Sequence, residues 1–207
     1  MRELEAKYAV RGNISSLCKD LGGSGFRFGR STTQTDYVFA TSAEIVLNPV
    51  PDSVVARVRV EDSHRVTLTV KRRRASELDR DEAEVVIDSP KQGKDALRML
   101  GLQEVVTVKK FRRSSRLDQG TLVLLDDVEG LGVFIEVEVL GDDTSGAKER
   151  LEAAMARISR ATQLEMQSIN KGYDRLLIEG PGGTSRSSDN PSDTFPAARA
   201  NTSSPSW

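Results

Sequence analysis

Met1-Arg2-Glu3-Leu4-Glu5-Ala6-Lys7-Tyr8-Ala9-Val10 opens the chain and decides how the rest of it is read. On a β-strand successive side chains point to opposite faces, so Glu3, Glu5 and Lys7 share one face while Leu4, Ala6 and Tyr8 share the other. Two carboxylates in line with an ammonium suit a hard divalent cation held together with an anion, because Mg²⁺ takes oxygen ligands and keeps its phosphate partners. Taken alone, the stretch is better explained as a sheet edge with its charged side in water. Repetition elsewhere in the chain separates the two readings.

The layout does recur. Alternation over 55–60 puts Arg57 and Arg59 on one face, and the turn Glu61-Asp62-Ser63-His64 leads into 66–71, which adds Lys71. Glu82 and Glu84 stand two apart in 82–87, Lys110 and Arg112 in 105–112, and Glu136 and Glu138 in 133–139, while 34–39 and 121–128 alternate as further strands. Helices fall between and after the strands. Ile14, Leu17, Cys18 and Leu21 form one helical face behind an Asn13 cap, with Gly22-Gly23 as the stop. Ser89-Pro90 is a cap and first-turn pair for a helix ending at Gly101. Leu151, Ala154, Met155 and Ile158 stripe a long helix over 147–163, capped by Thr144 or Ser145, and a short segment over 171–177 packs back on the sheet. Cys18 reads as a small buried hydrophobe and His64 as an exposed turn residue. The glycines at 22, 23, 25 and 29 lack the Gly-Lys-Ser/Thr ending of a phosphate loop and read as a mobile connection.

With 30 Lys and Arg against 31 Asp and Glu in 207 residues, the charges cancel to a net −1. That balance argues against a general nucleic-acid coat, which needs a broad cationic excess. A single cysteine excludes an intrachain disulfide, and neither a signal peptide nor a membrane-spanning run is present, so a cytoplasmic protein is expected. Residues 1–178 read as one domain. Residues 179–207, rich in Gly, Ser and Pro, read as a disordered tail too polar to offset the entropy of ordering it.

About eight strands and four helical segments cannot bury every apolar face against one another if the helices also need partners. One solution is an α+β fold in which a closed eight-stranded antiparallel barrel turns its charged faces inward and carries helices outside. An ordinary barrel or sandwich with charges outward has the same periodicity. Chemistry favours the tunnel: clustered acids and bases are costly unless ligand-bound, and a polyanion with Mg²⁺ satisfies both sets.

Glu3-x-Glu5-x-Lys7, Gln34-x-Asp36-Tyr37-x-Phe39, Arg57-Val58-Arg59, Leu68-Thr69-Val70-Lys71, Arg80-x-Glu82-x-Glu84, Lys110-x-Arg112 and the run from Leu125 to Glu138 resemble, in that order, the CYTH superfamily of triphosphate tunnel metalloenzymes. The last run is most similar to the class IV adenylyl cyclase-like branch. The resemblance implies an eight-stranded tunnel, Mg²⁺ or Mn²⁺, and a nucleoside triphosphate or another small triphosphate as substrate. It implies Glu3, Glu5, Glu136, Glu138 and Asp126 as metal ligands, with Glu82 and Glu84 as a further metal or orienting pair. Lys7, Arg57, Arg59, Lys71, Lys110 and Arg112 would hold the triphosphate, with Lys71 and Arg59 catalytic. The chain departs from the branch in Ser115 where Tyr is usual, and in Gly172 before Tyr173 where Ser is common. A cyclase making cyclic AMP and pyrophosphate is the leading expectation. A triphosphatase is the alternative, and a non-catalytic polyphosphate or RNA binder using Arg72 to Arg74 and Lys109 to Arg113 is the third. Whether the chain forms a homodimer is open.

Overall fold

The opening strand pairs antiparallel along its whole length with the strand that carries the second pair of acids, setting Glu5 opposite Glu138 and Lys7 opposite Glu136. The computed structural model describes residues 2–73, 80–141 and 144–180. The expected tail from 181 onward and Arg74 of the basic run lie outside the described residues, and for Glu3, Thr144 and Ser145 only the backbone is described. The order is β1 (Arg2–Val10), α1 (Ile14–Gly23), β2 (Thr32–Ala40), α2 (Ala43–Leu47), β3 (Val54–Glu61), β4 (Arg65–Arg73), β5 (Arg80–Ile87), α3 (Pro90–Met99), β6 (Gln103–Arg116), β7 (Thr121–Val128), β8 (Gly132–Gly141), α4 (Thr144–Thr162), β9 (Met166–Ile169) and α5 (Tyr173–Glu179).

Local chemistry explains the boundaries. The Asn13 side chain accepts from the Ser16 amide at 2.9 Å and starts α1, and Ser89 does the same for Gln92 ahead of Pro90 in α3. Gly22 and Gly23 sit inside the end of α1, and the cap is Ser24. Asp62 and Ser63 both have positive φ (47° and 61°), and the His64 amide donates to the Glu61 carbonyl at 3.0 Å. This is a type I′ hairpin turn, whose twist matches the flanking strands. Strand β9 and helix α2 carry no strong periodicity, being four and five residues long.

All strands join one antiparallel sheet in the order β5-β4-β3-β2-β6-β7-β8-β1-β9. The expected closed eight-stranded barrel is corrected to a nine-stranded sheet with edges at β5 and β9, between which no ladder forms among the described residues. The physical reason is that β9 occupies the outer side of β1 over Lys7–Val10, where a barrel would need β5. The sheet nevertheless buries both faces. Val123, Leu125, Ile135, Val137 and Val139 pack under α1 and α4, and Ala56, Val58 and Val66 pack with Leu97 of α3. On the opposite face Val38, Val108, Val128 and Phe134 meet Tyr173 and Leu176 of α5, an apolar plug at one end. The charges occupy the rest of this inner face. No helix among the described residues is long and apolar enough to cross a membrane.

Candidate active site

Each strand-borne functional side chain reaches the inner face because it shares parity with its neighbours there, and α1, α3 and α4 pack on the other face of β1, β3, β4, β7 and β8. The site has two halves that meet at the β2–β6 ladder.

In the first half, built by β1, β8, β7 and β6, Arg112 spans two acids, donating to Asp126 at 2.7 and 2.5 Å and to Glu136 at 2.6 Å. The Lys7 ammonium lies 3.0 Å from Glu136 and 3.1 Å from Glu5. Lys110 lies 3.3 Å from Asp126, and the Tyr173 hydroxyl donates to the same carboxylate at 3.1 Å. Both ammonium groups stand over one ring, Lys7 4.6 Å and Lys110 5.0 Å from the Tyr173 centroid. Strands β1 and β6 are three places apart, roughly 14 Å in a flat sheet, so strong coiling helps bring these groups together.

In the second half, built by β2 to β5, Asp36 holds Arg59 in a two-point pair at 2.6 and 2.7 Å and lies 3.9 Å from Arg57. Arg57 also reaches the Thr69 hydroxyl at 3.3 Å, and Thr69 donates to Glu84 at 2.9 Å. Lys71 pairs with Glu82, directly opposite it, at 2.9 Å. The halves sense one another: the Lys110 charge lowers the Asp36 pKa, and Arg59 and Arg112 repel.

Burial and pairing tune the protonation states. Burial works to raise the Asp36 and Asp126 carboxyls, but Arg59 and Arg112 respectively outweigh it, and both stay below the usual carboxylate range. Burial likewise opposes the charged form of Lys7, yet Glu136 and Glu5 hold its pKa above normal. Lys110 is different: burial and the adjacent Arg112 outweigh its acids and bring it down to about 8.

Among the described residues no three acidic, His or Cys side chains form a ready-made metal cage. Glu5 and Glu138 do face each other across the β1–β8 ladder, and Glu5 is 42% exposed. Mg²⁺ needs only one or two carboxylates beside substrate phosphates and water, so this pair fits such an ion. Asp126 is fully buried, with Arg112, Lys110 and Tyr173 around it. To ligate a metal it would have to release one of them.

The chemistry thus amounts to a row of cations matched by carboxylates on a face closed at one end by α5. The CYTH domain matches residues 1–173. This chain belongs to the CYTH domain family. A Methanocaldococcus jannaschii protein bearing the name of a candidate adenylate cyclase is 26% identical over 179 residues, 85% of this CYTH chain and 98% of that protein. Among solved structures, a Pyrococcus horikoshii protein is 26% identical with a TM-score of 0.66, covering 86% of this chain and 98% of its own. A Hippeastrum protein, described as a candidate adenylyl cyclase with a dominant triphosphatase activity, is 20% identical with a TM-score of 0.58, covering 84% and 93%.

Within this CYTH chain the structure gathers Glu5, Lys7, Lys110, Arg112, Asp126 and Glu136 into one ion-pair network and Arg57, Lys71, Arg59, Glu82 and Glu84 along the neighbouring strands. It divides the basic runs. Lys109 pairs with Glu129 away from Lys110 and Arg112, Arg72 pairs with Asp81, and Arg73 donates to the Pro49 carbonyl. Tyr173, Asp36 and Thr69 were not anticipated as site residues. Asp36 shared inner-face parity with Gln34 and Val38, which was a usable signal; Tyr173 arrives from a distant helix, which no local pattern reveals.

Proposed function

We propose that this protein is a divalent-metal-dependent enzyme acting on a triphosphate held on the inner face of its sheet, and that it converts ATP to cyclic AMP and pyrophosphate. The observation that carries the proposal is the matched convergence of Lys7, Arg57, Arg59, Lys110 and Arg112 with Glu5, Asp36, Asp126 and Glu136 on one buried face. Most of this is far too buried for solvated surface pairs, and buried charge persists where a ligand or network repays its desolvation.

Glu3, Glu5, Glu136 and Glu138 would hold Mg²⁺ or Mn²⁺. Such an ion supplies Lewis-acid neutralisation of phosphate charge. Arg59, pre-aligned by Asp36, presents a fixed fork to phosphate oxygens, and Arg112 does the same from the other half. Lys7 and Lys110 add point charges beside them. A triphosphate without a metal would set its oxygens against Glu5 and Glu136, so metal and triphosphate bind with positive coupling. Lys71, 34% exposed next to Glu82, lies farther along the track and serves the leaving end of the phosphate chain. We assign Asp126 to holding Arg112 and Lys110. In the cyclase reading the ribose 3′-hydroxyl lines up with the α-phosphorus and pyrophosphate departs.

The name of the M. jannaschii relative supports the cyclase reading. Hydrolysis of a triphosphate is a second reading, supported by the activity described for the Hippeastrum neighbour. Incubation with ATP and Mg²⁺ or Mn²⁺, followed by separation of products, decides between them. Cyclic AMP with pyrophosphate is expected; ADP with phosphate and no cyclic AMP sinks the cyclase reading, and no turnover of ATP or tripolyphosphate sinks both.

A further inference from the structure

We propose that Thr69 is a positioning residue: its buried hydroxyl, held by Glu84, aims Arg57 into the triphosphate site, so that Glu84 serves this guanidinium and not a metal ion. The proposal rests on the triphosphate reading above and assigns further residues within it.

Arg57, Thr69 and Glu84 stand directly opposite one another on β3, β4 and β5, and all three share the inner face. Thr69 is 0% exposed. Its hydroxyl donates to Glu84 at 2.9 Å and accepts from Arg57 at 3.3 Å. Chemistry permits only this direction, because a guanidinium has no acceptor and an ionised carboxylate has no donor. Strands two apart in a sheet are separated by about 9.5 Å, so the acid on β5 acts on the guanidinium of β3 through the residue between them. The direct Arg57–Glu84 separation of 3.8 Å is beyond hydrogen-bond length. The branched Cβ of threonine restricts its χ1 and so fixes where the hydroxyl points.

The adjacent row shows what this arrangement is for. Arg59, Thr67 and Val86 occupy the same three places one inner-face step away. There the guanidinium takes its acid from Asp36 on β2 at two points, and the β5 residue carries no charge. Arg112 is likewise gripped by two acids. Arg57 has no such grip: Asp36 lies 3.9 Å away, and the Arg57 Nε is buried with no hydrogen-bond partner among the described residues. A buried donor left unmade is costly, and native structures keep one where a ligand supplies the acceptor. Phosphate oxygens are such acceptors. Arg57 is thus the guanidinium with a donor in reserve, steered by a neutral hydroxyl that leaves that donor open. A divalent ion on Glu84 would instead set two positive charges beside Arg57 and withdraw the acceptor that orients Thr69.

The test measures three quantities: kcat/KM for ATP with Mg²⁺, calorimetric affinity for tripolyphosphate with Mg²⁺, and Mn²⁺ affinity of the triphosphate-free protein by electron paramagnetic resonance. The proteins are wild type, Thr69→Val, Thr69→Ser and Glu84→Gln, with Thr69→Val repeated in an Arg57→Met background. Thr69→Val keeps the shape and removes the hydroxyl, so kcat/KM and tripolyphosphate affinity fall about tenfold, the worth of one hydrogen bond to a charged group, and Thr69→Ser recovers most of the loss. In the Arg57→Met background the same substitution lowers tripolyphosphate affinity less than about twofold, because no guanidinium is left to aim. Glu84→Gln, whose amide oxygen still accepts but carries no charge, lowers kcat/KM about threefold and leaves Mn²⁺ affinity within about twofold of wild type. A tenfold loss of Mn²⁺ affinity in Glu84→Gln, an equal effect of Thr69→Val with and without Arg57, or full activity in Thr69→Val overturns the proposal and leaves the triphosphate reading standing. Failure of wild type to bind or turn over either ATP or tripolyphosphate overturns both. Thermal melts identify any variant that folds poorly, and Glu84→Gln, at a side chain 43% exposed, keeps the test open if Thr69→Val is one of them.

Discussion

Replacing Asp126 with Asn removes one negative charge and almost no volume from the most buried point of the site. In the metal-free protein the carboxylate is 0% exposed and accepts from Arg112 twice, from Lys110 and from Tyr173. The introduced amide has one acceptor oxygen, so the Arg112 fork loses its two-point partner and depends on Glu136, and Lys110 loses its nearest anion. Breaking one side of a buried ion pair costs about 3–5 kcal/mol, because a desolvated charge is left behind. For a domain of this size each kcal/mol moves the melting midpoint by about 2–4 °C, so Asp126→Asn is expected to lower Tm by about 6–20 °C. Tyr173→Phe, which deletes one hydroxyl contact, costs about 1 kcal/mol. Urea unfolding and thermal melting in EDTA at pH 7 measure both. A loss under about 1 kcal/mol for Asp126→Asn would show that the network behaves like exposed pairs, and the account of how the site is held would fail.

Three further outcomes follow from the same geometry. Glu5→Ala combined with Glu138→Ala removes the facing carboxylates and is expected to abolish metal-dependent turnover, with Mn²⁺ affinity read independently by electron paramagnetic resonance; unchanged affinity refutes the metal assignment. Arg59→Lys keeps the charge but loses the fork held by Asp36, so kcat/KM falls roughly 10–100-fold for any triphosphate. Lys110 is at about 8 in the folded chain against an ordinary 10.5, so between those values the unfolded chain binds more protons and metal-free stability rises with pH. The stability this group withholds below pH 8 is fully restored above the unfolded value, and Lys110→Met flattens that part of the profile; an identical rise in the variant refutes the assignment.

Much of the fold was legible because alternation, caps and turns are local. The strands bearing Glu3, Arg57, Lys71, Glu82, Lys110, Asp126 and Glu136 formed where period-two patterning placed them, and Asn13 and Ser89 cap their helices. Strand β9 was missed because four residues carry too little pattern, and with it the reason the sheet does not close. Asp36 was visible as part of a strand, but its pairing with Arg59 depends on the β2–β3 register. Tyr173 was placed on a short packing segment with no sign that its hydroxyl would reach Asp126, 47 residues earlier in the chain.

The sequence by itself determined which residues share a face, since side-chain parity on a strand is a property of the backbone alone. It could not determine which face turns inward, because charges facing water and charges facing one another have the same period. The tertiary structure decided that point: α1 and α4 cover the apolar side of β7, β8 and β1, α3 covers that of β3 and β4, and α5 plugs one end of the other face. With the apolar side occupied by helices, the charged side had only itself to face, and each cation found the carboxylate that strand order and register set beside it.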